Sequence, residues 1–219
     1  WGRSLFRNIQ RFLFFQLVVN VAALLLVIGG ACIGTEMPLT VTQILWVNLI
    51  MDTFAAMALA SLAPSKNVMK DKPRNQNDFI ITQKMFAYIF SWGVAFAVLM
   101  LGILWYFERN NLVDRHELTI FFTIFVMLQF WNLFNAKSLN AGESAFKGLG
   151  RNGGNRGFLF VLLMIIFGQV LIVTFGGEMF RTEPLSLFEW LAIIISTSLI
   201  VVIGQTWRWV RDLSKEKRL

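Results

Sequence analysis

Charge is scarce in this 219-residue chain. Asp, Glu, Lys and Arg make up 15% of it, against about 25% in an ordinary soluble domain. Cysteine and histidine are scarcer still, with Cys32 and His116 the sole examples. One cysteine excludes an intrachain disulfide, and with a single histidine beside it a zinc centre built from several Cys and His ligands is excluded too. No G-x-G-x-x-G follows a strand pattern. The glycine-rich stretch Arg151 to Gly157 therefore reads as a turn rather than a phosphate cradle.

What is plentiful is apolar. Hydrophobic residues reach 56% and the mean hydropathy is +0.61, which does not suit a soluble globule. The surplus gathers in six runs, approximately Phe12 to Ile33, Thr40 to Leu62, Met85 to Phe107, Leu118 to Phe134, Phe158 to Phe175 and Leu187 to Trp207. Six crossings of about 20 residues use about 120 and leave about 100 for connections and ends, too few for a separate soluble catalytic domain. The expected fold is an all-α membrane protein, a bundle of six transmembrane helices seated in a lipid bilayer. The first apolar run continues to full span length, so the opening is not a signal peptide. A start on Trp1 without methionine suggests a piece of a longer protein.

The net charge of +7 would fit nucleic acid or acidic lipid, but its distribution points elsewhere. The amino end, the second and fourth connections and the tail hold 17 of the 20 Lys and Arg, and the other three connections hold only Arg109, Arg115 and Arg181. By the positive-inside rule both termini are cytoplasmic. The charges thus report orientation, and no nucleic-acid partner is expected. The same orientation suits a bacterial inner membrane and a eukaryotic plasma membrane. The connection from Pro64 to Lys84 is a candidate docking point for cytosolic machinery.

Of the 13 acidic residues, 11 lie in connections or tails and Glu189 lies near a helix end, whereas Asp52 sits mid-span in the second run. A carboxylate at the bilayer centre costs roughly 2.5–3.5 kcal/mol on insertion scales, and such residues line a pathway or pair with another polar group. No basic residue in any run offers a countercharge. In an α-helix Asn48, four positions earlier, shares a face with Asp52 one turn away. Oxygen donors without a resident cation suit a hard cation. Asn20, with Gln16 one turn before it, and Gln129, followed by Asn132 and Asn135, add amides in mid-span. Interhelical hydrogen bonding is the competing role for these amides. Cys32 and His116, near the outer face, are read as non-functional. Calcium takes 6–8 oxygens, and Asp52, Asn48, Asn20 and Gln129 supply about five. Water, backbone carbonyls or a helix preceding Trp1 must supply the rest.

Trp1-Gly2-Arg3-Ser4, Asn8-Ile9-Gln10, the run Gln16 to Ala23, Pro38-Leu39-Thr40 and above all Gln43 to Thr53 resemble the membrane region of P-type calcium-pumping ATPases. Lys72-Pro73-Arg74-Asn75 is similar to the segment after the sixth membrane helix there. The resemblance covers essentially the whole chain and is most specific over Leu45 to Thr53. It implies that the six runs are the family's fifth to tenth membrane helices and residues 1–219 its C-terminal transmembrane domain. It also implies that Asn48 and Asp52 are sixth-helix ligands of the transported ion, with Asn20 and Gln129 as further ligands. Ala23 and Met51 stand where reticulum-type pumps carry a glutamate and a threonine. Ile50 to Thr53 instead resembles the plasma-membrane type, which carries one calcium per cycle. Ser61 to Pro64 departs from the Thr-Glu-Pro-Pro of many members.

The chain contains no Asp-Lys-Thr-Gly phosphorylation motif, no Thr-Gly-Glu and no Pro-Glu-Gly-Leu. On the resemblance, the phosphorylation, nucleotide and actuator domains, with their ATP and magnesium, and the first four helices are parts of the pump that this chain lacks. Alone it neither hydrolyses ATP nor pumps. A P-type pump for another cation is the nearest alternative, and a stand-alone six-helix channel or membrane partner protein is the alternative from a different class.

Overall fold

The computed structural model describes residues 2–34, 38–62, 79–110, 113–139 and 156–216, with side chains described as far as Thr206 in the last helix. The proposed docking connection, the glycine-rich turn and many of the basic residues that carry the charge asymmetry lie outside the described residues.

Among the described residues the structure is helical throughout. Six helices are long and apolar enough to cross a membrane, and the chain is an all-α membrane protein. Helix α1 (Gly2–Ile33) is followed by a second span built of three pieces: α2 (Val41–Leu45), a π-helix (Trp46–Met51) and α3 (Asp52–Ala60). Then come α4 (Gln83–Arg109), α5 (Arg115–Lys137), α6 (Arg156–Phe175), the single turn α7 (Gly177–Phe180) and α8 (Leu187–Glu216). Helices satisfy every backbone donor and acceptor internally, which hydrocarbon demands.

The differences from expectation lie at the ends and in the second span. Helix α1 begins about ten residues before its apolar run, and its 32 residues make a rod of about 48 Å, well beyond a hydrocarbon core of about 30 Å. Helix α8 likewise continues past its apolar run to Glu216. Hydropathy marks only the length inside the membrane; nothing in Arg3 to Arg11 breaks a helix. At the other end α1 stops before Gly34, whose φ of +87° takes the left-handed geometry that ends helices. Its N–H returns to the carbonyl of Gly30 at 3.1 Å.

The spans pack by close approach. Helix α1 lies along α4, where a Cβ on Gly93 would fall 2.5 Å from Val21 and one on Gly29 would fall 2.5 Å from Leu101. Small residues let membrane helices touch where no hydrophobic drive exists between them. The other face of α1, Phe14, Phe15, Val18, Val19, Ala22 and Leu26, is buried against the remaining bundle. Helix α5 is the centre: 78% of its spanning window is buried, against 44% or less for every other span. Leu24, Phe90, Val98, Leu163, Phe167 and Leu199 point outward instead, the apolar exterior that lipid solvates.

Candidate functional site

The site grows from the second span. Thr40 caps α2 in a reciprocal box: its hydroxyl accepts from the Gln43 N–H and the Gln43 side chain accepts from the Thr40 N–H at 2.9 Å. Such a box fixes where the helix starts. After one turn the helix widens. The Asp52 N–H reaches back five residues to the Val47 carbonyl as well as to Leu49, the i→i+5 bond of a π-turn. π-turns inside α-helices concentrate at functional positions. The Thr53 hydroxyl donates to the Leu49 carbonyl at 2.5 Å, tying the end of the widened turn.

This replaces the continuous α-helix in which Asn48 and Asp52 share one face. Asp52 is 5% exposed, whereas Asn48, inside the π-turn, is exposed. Both Asp52 carboxylate oxygens are buried without a hydrogen-bond partner. Gln129 is fully buried on α5, and its amide oxygen and nitrogen also lack partners. Asn132, one turn further along α5, is in the same condition. Asn135 is buried and lies so close to Gly204 that a Cβ there would collide with its Oδ1. Asn20 is exposed on α1. Helix α1 packs against both α3 and α5, and so joins the carboxylate-bearing helix to the Gln129-bearing one.

The arrangement is thus two interior donors, Asp52 and Gln129, and two amides, Asn48 and Asn20, on the outer surface of the described bundle. Buried polar groups are ordinarily hydrogen-bonded, and an orphaned group costs about 1–3 kcal/mol. Orphaned oxygens in mid-membrane are what an oxygen-coordinated cation would satisfy. Among the described residues no three His, Cys, Asp or Glu side chains gather into a metal site, so a cation held here must draw on amides and backbone oxygens. That favours a hard ion over zinc.

Most polar residues at the short-loop end, where α1, α4 and α6 finish and α2, α5 and α8 begin, are in the opposite condition, Glu117 with one buried and unpartnered oxygen being the exception. Thr42 donates to the Met179 carbonyl at 2.7 Å and Gln43 to that of Phe180 at 2.8 Å. Arg115 grips Glu178 with two bonds of 2.8 and 2.9 Å. The Thr119 hydroxyl accepts from the Glu183 N–H. His116, read from sequence as non-functional, sits 2.6 Å from Glu189 in a structural pairing, and the second Glu189 oxygen accepts from the Ser186 N–H and hydroxyl. The pairing spans 73 residues, so no local pattern announces it. A second contact was also missed: in mid-bundle the Trp46 indole donates to Gln169 at 3.1 Å. The signal available was a lone glutamine within the apolar run of α6.

The described residues thus form a six-span helical membrane domain with an unpartnered carboxylate and unpartnered amides in its interior. Residues 36–210 match the family described as Cation transporting ATPase, C-terminus, and the chain belongs to that family. It is 36% identical over 206 residues to plasma membrane calcium-transporting ATPase 2 of Oreochromis mossambicus, covering 87% of this chain and 18% of that protein. Against plasma membrane calcium-transporting ATPase 4 of Homo sapiens it is 36% identical over 204 residues, with 87% and 16% covered. Against the putative plasma membrane-type calcium-transporting ATPase 13 of Arabidopsis thaliana it is 38% identical over 192 residues, with 87% and 18% covered. The chain spans less than a fifth of the length of these relatives.

Proposed function

We propose that this chain is the C-terminal membrane part of an ATP-driven pump that exports calcium across the plasma membrane, with both termini cytoplasmic. The observation that carries the reading is Asp52, a mid-span carboxylate buried at the end of a π-turn with both oxygens unpartnered. The names of the relatives supply the ion. Asp52 and Gln129 form the interior part of the ion site. Asn48 and Asn20 belong to the same site from the exposed side, which the preceding helices of the pump cover. Mid-span amides facing lipid are costly, and a covering protein surface with further oxygen ligands removes that cost and completes a shell of 6–8 donors.

ATP and magnesium act in cytosolic domains beyond this chain, on an aspartate that the chain does not carry. What these residues contribute is binding, not phosphoryl transfer. Residues 1–219 make up one C-terminal transmembrane domain, part ion cage and part supporting bundle. The rod of α1 beyond the membrane is suited to transmit a cytosolic movement to that cage.

The test is ATP-dependent calcium-45 uptake into inverted vesicles bearing the full-length protein, wild type against Asp52→Asn. Uptake falls to background in the mutant, while phosphorylation by inorganic phosphate, which on the family resemblance needs no bound calcium, survives. Undiminished uptake in Asp52→Asn reduces Asp52 to a structural carboxyl. Uptake of another cation in place of calcium by the wild type overturns the choice of ion.

A further inference from the structure

The second span is tied to α6 and the turn after it at several heights. At the short-loop end Thr42 and Gln43 bond the carbonyls of Met179 and Phe180. At the far end a Cβ on Gly157 would lie 2.9 Å from the Ser61 hydroxyl, so the Ser61 side chain rests directly on the backbone of α6. Between these ends lies the π-turn, and its first residue, Trp46, is held in two ways. Its ring rests on the backbone of α6, where a Cβ on Gly168 would come within 2.5 Å of Cη2 and 3.0 Å of Cζ2. Its indole N–H donates to the fully buried Gln169.

Gln169 makes a poor structural residue. Its oxygen has one partner, but its Nε2 is buried with none, a cost that an apolar side chain in the same place would not carry. The glutamine does, however, meet the one residue where the helix changes from α to π register. A π-turn is an α-helix with a residue to spare, and letting that residue go rotates everything on one side of it by about a quarter-turn or more. The side that would turn carries Asn48 and Asp52.

We propose that Gln169, acting through Trp46 and with Gly168 providing room for the ring, is a positioning residue that holds the π-turn and so presents Asn48 and Asp52 to the ion. The inference rests on reading Asp52 as an ion ligand. Gln169 itself touches no ion.

The experiment uses the full-length protein in inverted vesicles and reads the calcium concentration for half-maximal ATP-dependent uptake separately from the maximal rate. Gln169→Leu and Trp46→Phe each raise half-saturating calcium about tenfold, the low end for residues that orient metal ligands, with the maximal rate largely kept. The double variant is no worse than either single one, because both break the same tie. Gly168→Ala removes no polar group yet displaces the ring, and it shifts half-saturation in the same direction. If Gln169→Leu fails to accumulate in the membrane, Gly168→Ala decides. Wild-type half-saturation in these variants, with only the thermal midpoint moved, overturns the positioning role alone. Absence of calcium uptake in the wild type overturns the ion site and this inference with it.

Discussion

The short-loop end of the bundle and its mid-membrane interior use the same kinds of polar side chain to opposite effect. At the short-loop end Thr40, Thr42, Gln43, Arg115, His116, Glu178, Ser186 and Glu189 are bonded to one another or to backbone carbonyls. In the interior both oxygens of Asp52, and the amide oxygens and nitrogens of Gln129 and Asn132, have no partner. The first set closes connections between helices. The second makes no such ties. Satisfaction of its polar groups, rather than their presence, distinguishes most of the short-loop end from the interior around Asp52, Gln129 and Asn132.

Mutations break or sharpen that contrast. The largest effect is loss of transport in Asp52→Asn; if a short-loop substitution such as Thr42→Val were to abolish uptake equally, the division of labour would collapse. Stability then gives opposite signs for the same type of change. Gln43→Leu, which removes the capping box and the bond to Phe180, lowers unfolding free energy by about 1–3 kcal/mol. Asn132→Leu, which removes an orphaned amide, raises it by about 1–3 kcal/mol. Denaturant unfolding in detergent micelles checks both, and a destabilising Asn132→Leu would place that residue in the scaffold. Trp131→Phe removes a single interhelical bond, the indole to Thr197 at 3.1 Å, and costs about 0.6 kcal/mol, the average for such bonds in membranes.

The smallest effect belongs to Glu178. Its hydrogen bonds and charge contact with Arg115 hold its carboxyl below the usual range, so its contribution is complete above the unfolded carboxylate's pKa and disappears as pH falls through the lowered folded value. The side chain is 85% exposed, so solvent and salt screen the pair. Glu178→Gln leaves the thermal midpoint at neutral pH nearly unchanged, and raising the salt concentration erases what difference remains.

Much of this was legible in the residue order. The six runs predict the six spans, four of them within a few residues at both ends while α1 and α8 run well past theirs, and Asp52 stands out because its class is so costly there. Glu189 is placed correctly at a helix end. The extension of α1 was not legible in hydropathy, because a helix leaving the membrane keeps its backbone bonds while its polar face turns to water. The mid-bundle Trp46–Gln169 bond joins residues 123 apart, and no periodicity reports a contact of that separation.

Length and hydropathy by themselves determined that this chain crosses a membrane six times as helices, because hydrocarbon leaves the backbone no other way to satisfy its donors and acceptors. They also singled out Asp52. Tertiary structure decided the rest. It made α5 the centre of the bundle, although its polar amides give it, with the second span, the lowest hydropathy of the six, since a helix surrounded by protein need not be soluble in lipid. It placed a π-turn between Trp46 and Met51 and so buried Asp52 while leaving Asn48 exposed. The register of a helix depends on what grips it from outside, and here the grip comes from Gly168 and Gln169 on a helix more than a hundred residues away.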